Sequence, residues 1–216
     1  MQIKAMLFDV DGTLIDSEWL YHMCWRQAAE EAGCPLTKTQ ALTLRSLDRR
    51  ETAKLFTDLT GDPEIYQKIR RRRGELMAQQ IKKYPLRAKP GVAALMEYLQ
   101  KKGIRYAAVT ASPAARAREY LDAAGVGKYF ETVISAEQAE RGKPFPDIYL
   151  LACKMLGLRP EECLVAEDSP NGLKSAHDAG CVTVMIPDLT PPDEETELLA
   201  DHCFVSLEQI AEFDIL

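Results

Sequence analysis

Met6-Leu7-Phe8-Asp9-Val10-Asp11-Gly12-Thr13-Leu14-Ile15-Asp16 is the stretch that decides how this chain is read. The apolar run from Ala5 to Phe8 has the length and composition of a buried strand. It stops at two carboxylates one residue apart, followed by Gly12 and Thr13. A buried strand has no structural use for Asp9 and Asp11 at its end, and bringing like charges together there is costly unless a cation or a proton offsets them. A divalent cation does so most readily, because hard cations prefer carboxylate and carbonyl oxygens. Gly12 permits a positive φ and a tight turn over such a site. An Asp-Gly pair that merely ends a strand is the ordinary alternative, and taken alone this stretch does not exclude it.

Working outward, the chain has 216 residues, 46% hydrophobic and 28% charged, which places it among ordinary globular proteins. A formal net charge of -6 argues against nucleic acid or an anionic membrane as the main partner. It leaves room for a small anionic substrate, since local charge decides that. No apolar run approaches the roughly 18 residues of a membrane span. The N-terminus enters a strand at once, so no signal peptide is expected. The six cysteines are scattered with no C-x-x-C pair, which fits reduced core thiols in a cytoplasmic protein. A monomer is the default expectation.

After Asp16 the rhythm is helical. Ser17 is placed as an N-cap, with Leu20, Cys24, Ala28 and Ala32 recurring at one-turn spacing up to Gly33. Asp48 to Glu51 has the spacing of a capping box, and Asp62-Pro63 starts a helix expected to reach about Tyr84. Residues 17–86 therefore read as an all-helical block, which also holds the basic run Arg70 to Arg73. That run is expected to be mainly a solvated face, with a basic rim for anions as the alternative.

From Pro90 onward, helices alternate with strands at Arg105 to Thr110, Thr132 to Ser135, Cys163 to Ala166, Val182 to Ile186 and Cys203 to Val205. Helices are expected to open at Ser112-Pro113, Pro146, Pro170 and Ser206. Such alternation predicts βαβ units and a parallel sheet, whose ligands bind beyond the carboxyl ends of the strands. The fold class expected is α/β, a Rossmann-like parallel core formed by residues 1–16 and 87–216, with the helical block 17–86 inserted.

Three further polar clusters fall just past strand ends: Thr110-Ala111-Ser112, Lys143 within Arg141-Gly142-Lys143-Pro144, and Glu167-Asp168. Singly, each has an ordinary explanation: a helix cap for Ser112, a surface lysine, helix-start acids. Together with Asp9 and Asp11 they converge on one edge of a parallel sheet. The chemistry they suit is phosphoryl transfer to a carboxylate, which is mostly positioning and charge stabilisation. A metal ion held by Asp9, Asp168 and a backbone carbonyl would offset acids and phosphate together. Lys143, the Thr110 hydroxyl and neighbouring N–H groups would supply positive charge and hydrogen bonds. One Asp attacks phosphorus and the other shuttles the leaving-group proton.

Asp9-Val10-Asp11-Gly12-Thr13, Thr110, Gly142-Lys143-Pro144 and Glu167-Asp168 resemble, in order, the four motifs of the haloacid dehalogenase superfamily. With Pro146-Asp147-Ile148-Tyr149 and Asp168-Ser169-Pro170-Asn171-Gly172, the chain is similar to the subgroup of β-phosphoglucomutase and small sugar-phosphate phosphatases. The resemblance implies Asp9 as nucleophile and Mg2+ ligand, and Asp11 as general acid/base with its carbonyl on the metal. It implies Thr110, Ala111 and Lys143 as phosphate-binding residues, Asp168 as a metal ligand with Glu167 beside it, and the helical block as a closing cap. Asp at both positions of the first motif disfavours dehalogenation, and no cap lysine is recognisable for phosphonate chemistry.

The resemblance thus implies a Mg2+-dependent phosphatase of small phosphorylated metabolites, sugar or polyol phosphates, acting through an aspartyl phosphate. A β-phosphoglucomutase-type isomerase with the same chemistry is the alternative, and a non-catalytic binding protein on the same scaffold is a third reading. Where the mutase cap carries a histidine, this chain has Tyr21, and His22 lies about 100° further round the helix. Where the mutase has Lys-Gly before an Arg, this chain has Arg45-Ser46 before Arg49. Arg45 and Arg49 would both face a substrate phosphate if one helix carries them.

Overall fold

The computed structural model describes residues 2–212. Six parallel strands form one sheet in the order β3-β2-β1-β4-β5-β6. They are β1 (Ala5–Phe8), β2 (Arg105–Thr110), β3 (Val133–Ser135), β4 (Cys163–Glu167), β5 (Val182–Met185) and β6 (His202–Cys203). The three middle strands are buried on both faces, as parallel strands covered by helices must be. Side chains alternate between two cores. Met6, Phe8, Ala108, Leu164 and Ala166 face one layer, while Ala5, Leu7, Ala107, Val109 and Val165 face the other.

The register sets up the site. Phe8 pairs with Ala108 of β2 and with Ala166 of β4, so Asp9, Val109 and Glu167 emerge level with one another. The Asp9 N–H still donates to Ala166 O at 3.0 Å. From β1 the chain builds outward through β2 and β3, then returns to the other side of β1 for β4. The strand order reverses between β1 and β4, which is where open α/β sheets bind ligands.

Four helices lie between β1 and β2 before the returning α5 (Val92–Lys102): α1 (Glu18–Glu31), α2 (Lys38–Thr43), α3 (Arg49–Thr60) and α4 (Ile65–Lys83). Together they are the helical cap. Trp25, Phe56 and Tyr66, from α1, α3 and α4, stack with ring centroids 5.9 to 6.5 Å apart. The chain enters and leaves this block along two antiparallel segments, with Asp16 N–H donating to Arg87 O and Lys89 N–H to Leu14 O, each at 2.9 Å. No helix among the described residues is long and apolar enough to cross a membrane.

Several local expectations change. Thr37 caps α2 through a capping box with Gln40, an element sequence reading passed over within the helical block. Asp48 caps α3 through Arg50 N–H alone and forms no box with Glu51. Its second oxygen accepts instead from Gly142 N–H at 2.7 Å. The α4 helix begins at Ile65 rather than at Asp62-Pro63. Pro113 and Pro146 occupy the N-cap positions of α6 (Ala114–Ala123) and α7 (Asp147–Leu156), one residue earlier than Pro at the first helical position. The last strand is His202–Cys203, not Cys203 to Val205, and Val205 is 83% exposed. Helix α8 (Pro170–Asp178) starts at Pro170 as expected, while α9 (Glu194–Leu199), before the final α10 (Glu208–Glu212), was not foreseen.

Candidate active site

Asp9, Asp11, Thr110, Lys143, Glu167 and Asp168 are all buried, and the structure brings them to the C-terminal edge of β1, β2 and β4. Lys143 is the hub. Its Nζ donates to Asp9 Oδ1 at 2.5 Å, to Glu167 Oε1 at 2.6 Å and to the Val109 carbonyl at 3.3 Å. Tyr149, on the first turn of α7, donates its hydroxyl to the same Glu167 oxygen at 2.6 Å. Burial alone opposes the Lys143 charge, but Asp9 and Glu167 outweigh it and hold the ammonium above its ordinary range. Lys143 is therefore a fixed cation.

Asp9, Glu167 and Asp168 each offer a carboxylate oxygen within 4.8 Å of the others. Asp9 Oδ2 and Asp168 Oδ1 are buried and meet no hydrogen-bond donor. Burial pushes the Asp9 carboxyl well up; Lys143 pulls it down, and Glu167 and Asp168 push it up again. Asp168 is pushed up to about 8, first by burial, against the pull of Arg45 and with the further push of Glu167 and Asp188. Buried acids with unpartnered oxygens facing one another are what a divalent cation relieves, and the donors are all hard oxygens. The residues present fit the implied magnesium ion.

Asp11 points elsewhere. Its Oδ1 accepts from Ser17 Oγ at 2.6 Å and its Oδ2 from Ser112 Oγ at 3.2 Å. Both serines read as helix N-caps in the sequence: Ser17 does hold the N-cap position of α1 but makes no side-chain cap hydrogen bond, Ser112 precedes the N-cap Pro113 of α6, and both hydroxyls serve the carboxylate. Burial raises the Asp11 carboxyl while the two serine hydrogen bonds lower it, with a net rise. An acid whose hold on its proton is strengthened by burial and tuned by two hydroxyls is suited to giving and taking a proton. Its carboxylate lies outside the acid trio that could hold a metal ion, so the side-chain ligand set is Asp9, Glu167 and Asp168 without Asp11.

Thr110 is buried and accepts from Ser112 N–H at 2.9 Å through Oγ1. Thr110, Ala111 and Ser112 line the pocket that opens over Asp9 and Asp11. Gly12 adopts φ of 89°, and a Cβ placed there would stand 2.5 Å from Asp168 Oδ2 and 2.8 Å from Glu18 Cγ. Only glycine fits that turn.

Glu18 is a residue that sequence reading missed. It is buried in the first turn of α1, and burial, then Asp168 and Asp11, push its carboxyl well up. The signal was masked because an acid in the first helical turn already has an ordinary explanation in the helix dipole.

The cap residues depart most from expectation. Arg45 and Arg49 do not share a helix: α2 ends at Thr43, α3 begins at Arg49, and Ser46 between them has φ of 54°. Arg45 is buried and reaches across to the core, 3.4 Å from Asp168 Oδ2 and 2.7 Å from Thr190 Oγ1. Arg49 pairs with Glu137 at 3.4 Å, its side chain 42% exposed. Both still line the pocket. Asp48 N–H donates to Lys143 O at 2.7 Å, and Asn171 donates to the carbonyls of Thr43 and Arg45. The cap is thus closed on the core beside Lys143. The basic run divides: Arg72 pairs with Glu31 and Glu75 on the surface, whereas Arg70 and Arg73 turn into the pocket. Tyr21 and His22 both line it as well.

This geometry has known counterparts. The model of the haloacid dehalogenase-like hydrolases matches residues 3–180. The chain is 36% identical to hexitol phosphatase A of Escherichia coli over 97% of its own length and 94% of that protein. It is 32% identical to the phosphorylated carbohydrates phosphatase of Thermotoga maritima over 82% of each. A hydrolase from Pseudomonas syringae has the same fold, with a TM-score of 0.87 at 22% identity over 98% of both chains. The four strand-end clusters, their meeting at the β1/β4 edge and these likenesses agree, and the chain belongs to the haloacid dehalogenase-like hydrolases.

Proposed function

We propose that this chain is a Mg2+-dependent phosphatase of small phosphorylated metabolites, sugar or polyol phosphates, working through a phosphoryl group carried on Asp9. The observation that carries the reading is the ammonium of Lys143 bonded to both Asp9 and Glu167 beneath a pocket that also exposes Asp11, Thr110 and Ser112. The phosphatase relatives support the substrate class.

Asp9, Asp168 and, beside them, Glu167 are the side chains that would hold the magnesium ion, with the Asp11 carbonyl. The ion supplies positive charge that keeps the acids ionised and offsets the phosphoryl oxygens. Lys143 holds Asp9 Oδ1 in place and adds a fixed positive charge. The Thr110 hydroxyl and the N–H at Ala111 orient the phosphoryl oxygens. An Asp9 oxygen forms a bond to phosphorus as the ester P–O bond breaks, and the leaving alkoxide takes the proton of Asp11. Water then attacks the phosphorus of the acyl phosphate and gives its proton to Asp11, which releases phosphate and restores the Asp9 carboxylate. Ser17 and Ser112 orient Asp11 throughout. The closed cap excludes bulk water and sets the leaving group.

Phosphate release from a panel of sugar and polyol phosphates, with magnesium and with a chelator, tests this reading. Magnesium-dependent release, lost in Asp9→Asn, is expected. Conversion of β-glucose 1-phosphate to glucose 6-phosphate with a trace of bisphosphate would identify a mutase instead. No turnover of any ester would leave only a binding role.

A further inference from the structure

Tyr149 carries a hydroxyl into a layer of the core that is otherwise apolar. It is fully buried, on the first turn of α7, in the layer that holds Val109, Val165 and Ala176. A phenylalanine would fill the same space, whereas a buried phenol is costly unless its hydroxyl has a partner. That partner is a charged group of the site. The Tyr149 hydroxyl donates to Glu167 Oε1 at 2.6 Å, and Lys143 Nζ donates to the same oxygen at 2.6 Å. The ring faces the ammonium as well, its centroid 5.2 Å from Nζ. Glu167 is also held on its other sides. Ser169 Oγ donates to Oε2 at 3.3 Å, and a Cβ at Gly172 would stand 2.0 Å from Oε1 and 2.1 Å from Oε2. Two short bonds thus occupy Oε1, and Oε2, with one long bond, keeps acceptor capacity for a cation.

We propose that Tyr149 is a positioning residue: its hydroxyl fixes Glu167 so that Oε2 is left for the magnesium ion and Oε1 does not draw the Lys143 ammonium away from Asp9. This rests on the phosphatase reading and deepens it by adding a residue that acts through Glu167. Lys143 serves two acids at nearly equal distance, Asp9 Oδ1 at 2.5 Å and Glu167 Oε1 at 2.6 Å. The phenol takes up part of the charge on Oε1, and the ammonium stays shared between the two acids. Without the hydroxyl, Glu167 holds the ammonium with one competitor fewer, and the bond that orients Asp9 weakens. Hydrogen-bond partners of metal-holding side chains commonly control metal affinity or activity by about 10–100-fold.

Tyr149→Phe tests the proposal, because it keeps the ring and removes the donor. Calorimetric titration of the metal-free enzyme with magnesium chloride should show binding weakened by about tenfold or more. At saturating magnesium, kcat for phosphate release should fall by about tenfold while KM for the ester changes less than twofold, since Tyr149 holds no part of the substrate. In a Glu167→Gln background the same substitution should weaken magnesium binding less than twofold further, because its route of action is gone. Replacing Tyr149 with 3-fluorotyrosine, which keeps the hydroxyl, should leave magnesium affinity within about twofold of the wild type and guards against a folding defect in Tyr149→Phe. A Tyr149→Phe enzyme with unchanged magnesium affinity and kcat, whatever its stability to urea, overturns the proposal and leaves the phosphatase reading standing. An equal loss of magnesium affinity with and without Glu167 overturns it too, as does a wild type that binds no magnesium. Weakened magnesium binding in Tyr149→Phe supports the role of the hydroxyl even if no ester is hydrolysed, in which case the phosphatase reading alone falls.

Discussion

The ammonium of Lys143 lies 2.5 Å from Oδ1 of Asp9, with neither side chain more than 2% exposed. In so dry a place the pair cannot be relaxed by solvent, and Glu167 makes it a triad at 2.6 Å from the same nitrogen. The lysine thus serves both the stability of the acidic cluster and the orientation of the proposed nucleophile.

Lys143→Met leaves Asp9 and Glu167 buried without their counter-charge. Breaking a buried pair by removing one partner costs about 3–5 kcal/mol. Urea denaturation in chelator should show a loss on that scale, and kcat for phosphate release should fall by roughly 10²-fold or more.

Stability should also depend on pH in a stated direction. The Asp168 carboxyl is raised to about 8 by burial, against Arg45 and with Glu167 and Asp188, from an ordinary value near 3.8. A carboxyl raised on folding holds its proton in the native state after the unfolded chain has released it. Its contribution is therefore full below the unfolded value and is lost as pH rises toward about 8. Asp9 and Glu18 are raised too, and act in the same direction. In chelator, Tm should fall between pH 5 and pH 8. Magnesium should add more to Tm at pH 8 than at pH 5, because the ion favours the ionised acids. A Tm that rises over that range in chelator would contradict the assignment.

Ser17→Ala and Ser112→Ala remove hydrogen bonds that favour the ionised form of Asp11. Its carboxyl should then titrate higher, and the pH at which kcat/KM turns down for want of the protonated acid should move up. Ser17→Ala should act more strongly, since its contact is 2.6 Å against 3.2 Å. An unchanged pH profile in both variants would show that neither hydroxyl tunes the acid.

Ser46 holds φ of 54° in the break between α2 and α3, a conformation that costs an L-residue about 1 kcal/mol and costs glycine nothing. Ser46→Gly should stabilise the protein by several tenths to about 1 kcal/mol after the extra entropy of the unfolded chain is counted. Chemical denaturation at neutral pH measures it.

How far the sequence was legible follows from what each residue has to reconcile. Asp9, Asp11, Lys143 and Glu167-Asp168 stood out because charge at the end of an apolar strand has no structural reward, and parallel topology then places them together. Ser17, Ser112 and Glu18 did not stand out, because each has a complete local explanation in helix-start chemistry. The buried carboxylate of Asp11 competes successfully for both hydroxyls, and only tertiary structure shows that. The Arg45–Arg49 pairing failed for a backbone reason. A left-handed serine interrupts the helix, and no spacing rule reports it. Tyr149 was quoted only as part of a family-like stretch, and its hydroxyl on Glu167 needed the packing of α7 against the sheet. Arg73 looked like one member of a solvated run until the Trp25 and Tyr21 rings beneath it gave it a direction.

The central claim is that Asp9 itself takes the phosphoryl group. Rapid acid quench of the enzyme during turnover of a good substrate in magnesium, followed by borohydride reduction and peptide mass analysis, reads this directly, since an acyl phosphate is reduced to an alcohol. Homoserine should appear at position 9, only when substrate is present and never in Asp9→Asn. Reduction at Asp11 or Asp168 instead, or multiple turnovers by Asp9→Asn, would contradict the account.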